Sequence, residues 1–84
     1  MFCVYILQNQ KDRYYIGHTS DLQLRLRKHN NGMVTSTKNR GPWQIVFTKQ
    51  FSTRSEAMTE EKCLKKLKSK PAIIALIRQS VESR

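Results

Sequence analysis

Apolar side chains in this chain form short unbroken runs in the first half and take helical spacing in the second. Phe2-Cys3-Val4-Tyr5-Ile6-Leu7 is continuous, which marks a strand buried on both faces. Gln8 to Asp12 is polar and turn-like, and Arg13 to His18 reads as a second strand, so a hairpin is expected. Ser20, with Gln23 three residues on, has the pattern of a capping box. It opens a helix to about Asn31 that Gly32 is placed to end. On that helix Leu22, Leu26 and His29 share one face. Val34 to Gly41 is a polar loop, and Pro42 resumes an extended chain. Trp43 to Phe47 reads as a third strand, with Trp43, Ile45 and Phe47 on one side. Thr53 and Glu56 form a second capping box, opening a helix to about Lys68. Pro71 breaks that helix and suits the first turn of another, which carries Ile73, Ile74, Leu76 and Ile77. The expected fold is α+β: a small three-stranded antiparallel (mixed) β-sheet flanked by helices, in the order β-β-α-β-α-α.

Eighty-four residues hold one core, so a single domain over 1–84 is expected, with few apolar side chains to spare for enclosing a small molecule. Charge adds the first functional direction. Sixteen Lys and Arg against six Asp and Glu give a formal +10. Such a surface attracts polyanions, above all phosphate backbones. No long apolar span or basic amphipathic anchor points to a membrane. Cys3 and Cys63 each lie within apolar surroundings, too few for a disulfide scaffold and wrongly spaced for zinc, so both are read as buried small hydrophobes. Without a signal-peptide pattern at the start, a cytoplasmic location is expected.

Within this frame a few residues can carry chemistry. Tyr5 and Tyr15 sit on the two hairpin strands, where antiparallel pairing can bring them close. Gly17 marks a place of close backbone approach. Arg25 and His29 are four apart on the first helix and project from one side. Arginine offers a planar fork of donors to a phosphate, and histidine can exchange a proton near neutrality. His18 has no such partner and is read as structural. Glu60 and Glu61 fall near the buried side of a lysine-rich helix, a side set by Ala57, Leu64 and Leu67. A carboxylate there needs a cation; a divalent metal or a basic side chain such as Lys65 or Lys66 would serve, and helix geometry leaves that choice open.

Taken in order, Cys3-Val4-Tyr5, Tyr15-Ile16-Gly17, Arg25, His29 and a late helical glutamate resemble the GIY-YIG nuclease superfamily, in particular its short single-domain bacterial branch. The second motif is intact, while the first carries Cys3-Val4 in place of Gly-Ile and keeps its tyrosine. The spacing of Ala57, Glu61 and Lys65 matches the short branch and so selects Glu61 over Glu60; the extra asparagine of larger members has no counterpart. The resemblance implies a divalent-metal-dependent endonuclease that hydrolyses phosphodiester bonds in DNA with little sequence specificity. It implies a single Mg²⁺ or Mn²⁺ on Glu61, a phosphate clamp at Arg25, Tyr5 or His29 as the base, and Tyr15 as a hydrogen-bonding partner. Arg27, Lys38 and Arg40 are expected to contact backbone phosphates. Nicked, branched or single-stranded structures are the expected preference, with DNA favoured over RNA. A protein partner, and a monomer or weak dimer, are compatible with this reading. The alternative is a module on the same scaffold that binds nucleic acid without cutting it.

Overall fold

The opening apolar run becomes the centre of the sheet because both its faces are covered. The computed structural model describes residues 1–34, 37–38, 40–67 and 70–82, with side chains at 70 and 80–82 excepted. Strands β1 (Phe2–Gln8), β2 (Tyr14–Thr19) and β3 (Gln44–Phe51) form one sheet in the order β2-β1-β3, both pairings antiparallel. Helices α1 (Leu22–Asn30), α2 (Arg54–Lys65) and α3 (Lys70–Glu82) complete the expected β-β-α-β-α-α order.

Alternation along β1 splits the core in two. Val4 and Ile6 face Ile16 and the α2 residues Ala57 and Leu64, with Ile73 and Leu76 of α3 packed beside them. Tyr5 and Leu7 face the other way, towards Trp43, Tyr15, Ile45 and the α1 residues Leu22 and Leu26. The hairpin turn is built around Asn9, whose side-chain oxygen accepts from the backbone N–H of Lys11 and Arg13. Asp12 closes the turn at φ 57, a left-handed conformation that aspartate tolerates.

Helix ends follow local chemistry, with one correction. Asp21, not Ser20, is the cap of α1: its carboxylate accepts from Leu24 N at 3.1 Å. Both residue types cap well, and the aspartate lies one position closer to the first turn. At the other end Gly32, at φ 73, ends α1 as expected. Its N–H donates to His29 O, and Met33 N–H donates to Lys28 O, so the last carbonyls are satisfied. Thr53 caps α2 by accepting from Glu56 N, while its hydroxyl donates to the Glu56 carboxylate.

Three packing expectations change. Trp43 and Ile45 do share a side, but Phe47 packs on the opposite one with Val46. The cause is a bulge: Ile6 pairs with Phe47 and Leu7 with Ile45, so the strand gains a residue and its alternation resets. Leu67 is 37% exposed, beyond the last turn of α2, and does not join Ala57 and Leu64 in the core. Cys63 is exposed on α2 and Cys3 half-buried, so neither is a core residue. The expected helix end at Lys68 lies outside the described residues.

Candidate active site

The site forms where β2 has no side chain. Tyr5 pairs with Gly17 across the hairpin, and its phenol lies over that glycine. A methyl group at Gly17 would stand 2.6 Å from the Tyr5 hydroxyl oxygen and 3.1 Å from Cε1 of Tyr15. The close approach expected at Gly17 is therefore an approach by a side chain, the Tyr5 ring itself.

Over this pocket α1 presents Arg25 and His29 together. His29 is 1% exposed and Tyr5 also 1%, and the Tyr5 hydroxyl lies 2.9 Å from His29 Nε2. Arg25 Nε donates to the same hydroxyl oxygen at 3.3 Å. The Tyr15 ring packs on His29 at 4.7 Å between centroids and 6.2 Å from Tyr5. Four of the expected residues thus meet in direct contact.

A fifth residue, Thr37, was not foreseen. It is 1% exposed, and its hydroxyl oxygen lies 2.8 Å from His29 Nδ1 while donating to Val34 O at 3.3 Å. With that hydroxyl proton committed, the oxygen can only accept, so Nδ1 carries the imidazole proton. Nε2 then holds a lone pair, and the Tyr5 hydroxyl donates to it. Thr37 is itself anchored, since its carbonyl accepts from the Trp43 indole N–H. Trp43 N–H in turn donates to Asn30 Oδ1 at 2.6 Å. The polar composition of the loop hides this single buried threonine; only its contacts with a buried histidine expose it.

Burial governs the electrostatics. It pushes the Tyr5 phenol up to about 12, against the opposing hydrogen bond from Arg25. Burial, and secondly the Arg25 charge, lower His29 to about 4. Both groups rest neutral near pH 7, with the proton between them on Tyr5.

Glu61 stands behind this cluster. Its helix packs on the Val4–Ile6–Ile16 face, so it meets the sheet at His18, which alternation turns away from Gly17. His18 Nδ1 lies 2.6 Å from Glu61 Oε1, and Lys65 Nζ donates to Oε2 at 2.7 Å. His18 therefore has a partner, contrary to the reading that it lacks one; the two residues are 43 apart in sequence. Burial alone would raise the Glu61 carboxyl, but its bonds to Lys65 and His18 outweigh that and lower it, so it is ionised. Its charge still reaches Tyr5, where it adds slightly to the raised phenol. Glu60, by contrast, is held by Lys49 at 3.1 Å on the β3 side.

Among the described residues no group of three or more His, Cys, Asp or Glu could cage a metal. A single ionised carboxylate, 17% exposed, suits a divalent ion that keeps most of its water, as magnesium does. Such an ion would displace His18 and Lys65 from the carboxylate oxygens. Arg27, Lys38 and Arg40 are exposed and take no part in the buried cluster.

A tyrosine pair over a strand glycine, with an arginine and a histidine from the following helix, defines a GIY-YIG domain, and the chain belongs to that family. The model of the GIY-YIG catalytic domain matches residues 1–72. Among its relatives is the UPF0213 protein lmo0166 of Listeria monocytogenes, 38% identical over 80 residues that cover 94% of this chain and 89% of that one. Another is the UPF0213 protein OB0043 of Oceanobacillus iheyensis, 40% identical over 65 residues and covering 76% of each chain. The solution NMR structure of the UPF0213 protein BH0048 from Bacillus halodurans is 35% identical, with a TM-score of 0.56 over 90% of this chain and 85% of that one. The chain is therefore a nuclease-type domain. No helix among the described residues is long and apolar enough to cross a membrane.

Proposed function

We propose that the chain is a divalent-metal-dependent endonuclease that hydrolyses phosphodiester bonds in DNA, with little sequence specificity and a preference for nicked, branched or single-stranded structures. The observation that carries this reading is the Arg25–Tyr5–His29 chain of hydrogen bonds, buried at Tyr5 and His29 and ending in a fixed Thr37. Simple binding of a polyanion needs no buried proton-transfer pair.

Arg25 spends its Nε–H on Tyr5 and keeps further donors for a non-bridging phosphate oxygen, where charge grows as the bond forms. Tyr5 and His29 act as one relay rather than as rivals for the base role. The attacking water gives its proton to the Tyr5 oxygen while the Tyr5 proton passes to His29 Nε2. An incoming phosphodiester anion offsets the Arg25 charge that helps hold His29 down, which makes Nε2 a better acceptor at that moment. Tyr15 supports the ring of His29 and offers its hydroxyl to the phosphate. Glu61 would hold a Mg²⁺ or Mn²⁺ ion, which would supply charge neutralisation at the phosphate. The exposed Arg27, Lys38 and Arg40 position the strand without reading bases. A site reached over the β2 edge of the sheet suits flexible or distorted strands better than intact duplex.

One observation favours the second reading, a module that binds without cutting. Both oxygens of Glu61 are already engaged, by His18 and Lys65. The test is incubation with nicked, branched and single-stranded DNA in Mn²⁺, Mg²⁺ or EDTA, alongside Glu61→Gln and Arg25→Ala. Metal-dependent cleavage that falls at least about a hundredfold in each variant supports the nuclease. Binding without cleavage in any metal supports the module.

A further inference from the structure

A concentration of positive charge lies at the turn end of the hairpin, away from the buried cluster, where Lys11 and Arg13 join the Arg40 already given a strand-positioning role. A cavity of about 420 Å³ opens there between the β1–β2 turn and the loop entering β3, lined by Asn9, Gln10, Lys11, Arg13, Arg40 and Gly41. Three cations line it and no carboxylate does. Among the described residues none of the three has an ion-pair partner. The adjacent Asp12 carboxylate instead accepts from Gln8 Nε2 at 2.9 Å.

The cavity is held in shape by one buried side chain. Asn9 is 7% exposed; its oxygen accepts from Lys11 N and Arg13 N, and its amide nitrogen donates to Arg40 O at 3.0 Å. A single amide therefore ties together the two segments that carry the cations. Bringing three like charges to one rim is unfavourable without a counter-charge, so the arrangement calls for an anion.

We propose that this cavity binds a backbone phosphate of the nucleic-acid strand, several nucleotides from the bond that is cut; this rests on the phosphodiester reading of the Tyr5–Arg25 site. The spacing fits. From the Tyr5–Gly17 pair to the Gln8–Tyr14 pair is three residues along the hairpin, and Asn9 and Arg13 lie one step further. At about 3.3 Å per strand residue the two sites are roughly 13 Å apart. A strand in helical form carries one phosphate per roughly 3.4 Å of axis and an extended strand spaces them more widely, so the cavity meets a phosphate at most about four steps from the scissile one. The site thereby sets a minimum strand length on one side of the cut.

The test is the salt dependence of binding to labelled single-stranded oligonucleotides of graded length, by fluorescence anisotropy without divalent metal. It compares the full chain, Lys11→Gln/Arg13→Gln, and a charge-matched change at the C-terminal end of α2, Lys62→Gln/Lys66→Gln. All four residues are exposed, and amide spectra of each variant are recorded to check its folding. Losing the one phosphate held in the cavity reduces the salt slope by about 0.7, so between 50 and 200 mM salt wild-type affinity falls about two- to threefold more than the hairpin variant's. That difference is expected only for strands long enough to span both sites. Equal slopes for the hairpin and α2 variants, or a loss independent of length, would overturn the proposal. So would saturation of the Lys11 and Arg13 amide signals by pyrophosphate with no competition against the oligonucleotide, which assigns the cavity to a free anion. Because binding is read without turnover, an inactive enzyme that keeps the length-dependent slope sinks only the catalytic reading.

Discussion

Gly17→Ala perturbs the site by one methyl group, and its consequence follows from distances. The new carbon would lie 2.6 Å from the Tyr5 hydroxyl oxygen and 2.8 Å from Cζ, against ordinary contact at 3.4 Å or more. The phenol must therefore retreat by roughly 1 Å, although it is 1% exposed and bonded to His29 and Arg25. Overpacking of this kind costs about 1–3 kcal/mol. Loosening the bond to His29 adds about 1 kcal/mol. Alanine recovers roughly 0.5–1 kcal/mol through the unfolded chain, since Gly17 is not in a left-handed conformation. The net loss is about 2 kcal/mol, a fall in melting temperature of roughly 8–16 °C for a domain of this size. Thermal and urea unfolding with aromatic and imidazole NMR provide the assay. A variant as stable as the parent, with Tyr5 and His29 resonances unmoved, would refute the reasoning.

Two further outcomes follow from the same cluster. His29 is lowered from 6.5 to about 4 in the folded chain, so the unfolded chain binds the extra proton between those values. Its contribution is complete above pH 6.5 and is lost as pH falls towards 4, up to ~3 kcal/mol, and His29→Gln should flatten that part of the stability–pH curve. Thr37→Val keeps the shape but removes the acceptor from His29 Nδ1, leaving a buried donor unmatched at about 1–3 kcal/mol. It should also lower the cleavage rate and alter its pH profile, whereas Thr37→Ser restores both; unchanged imidazole ¹⁵N shifts in Thr37→Val would contradict the assignment of the proton to Nδ1.

Local pattern accounts for most of the architecture. The run from Phe2 to Leu7 is apolar at every position because β1 is the central strand, and Leu22, Leu26 and His29 share a face because α1 covers one side of it. What escaped the pattern is non-local. The resetting of β3 at Val46 comes from pairing with β1, which alternation within β3 cannot register. His18 looks unpartnered until α2 brings Glu61 beside it, and Thr37 looks like any loop threonine until Trp43 and His29 enclose it. The convergence of Tyr5, Tyr15, Arg25 and His29 was legible from spacing together with family resemblance. That Glu61 reaches those four from the other face of the sheet, by its charge on Tyr5 rather than by direct contact, was not, because helical periodicity sets which side of α2 is buried but not which strand edge it meets.

Tyr5→Phe tests the central claim most directly, since it removes one oxygen and leaves the ring in place. The measurement is the single-turnover cleavage rate of a labelled nicked DNA with Mn²⁺, with folding confirmed by NMR. A Tyr5–His29 relay predicts a fall of about 10²–10⁴-fold. Cleavage by Tyr5→Phe at the parental rate would contradict it.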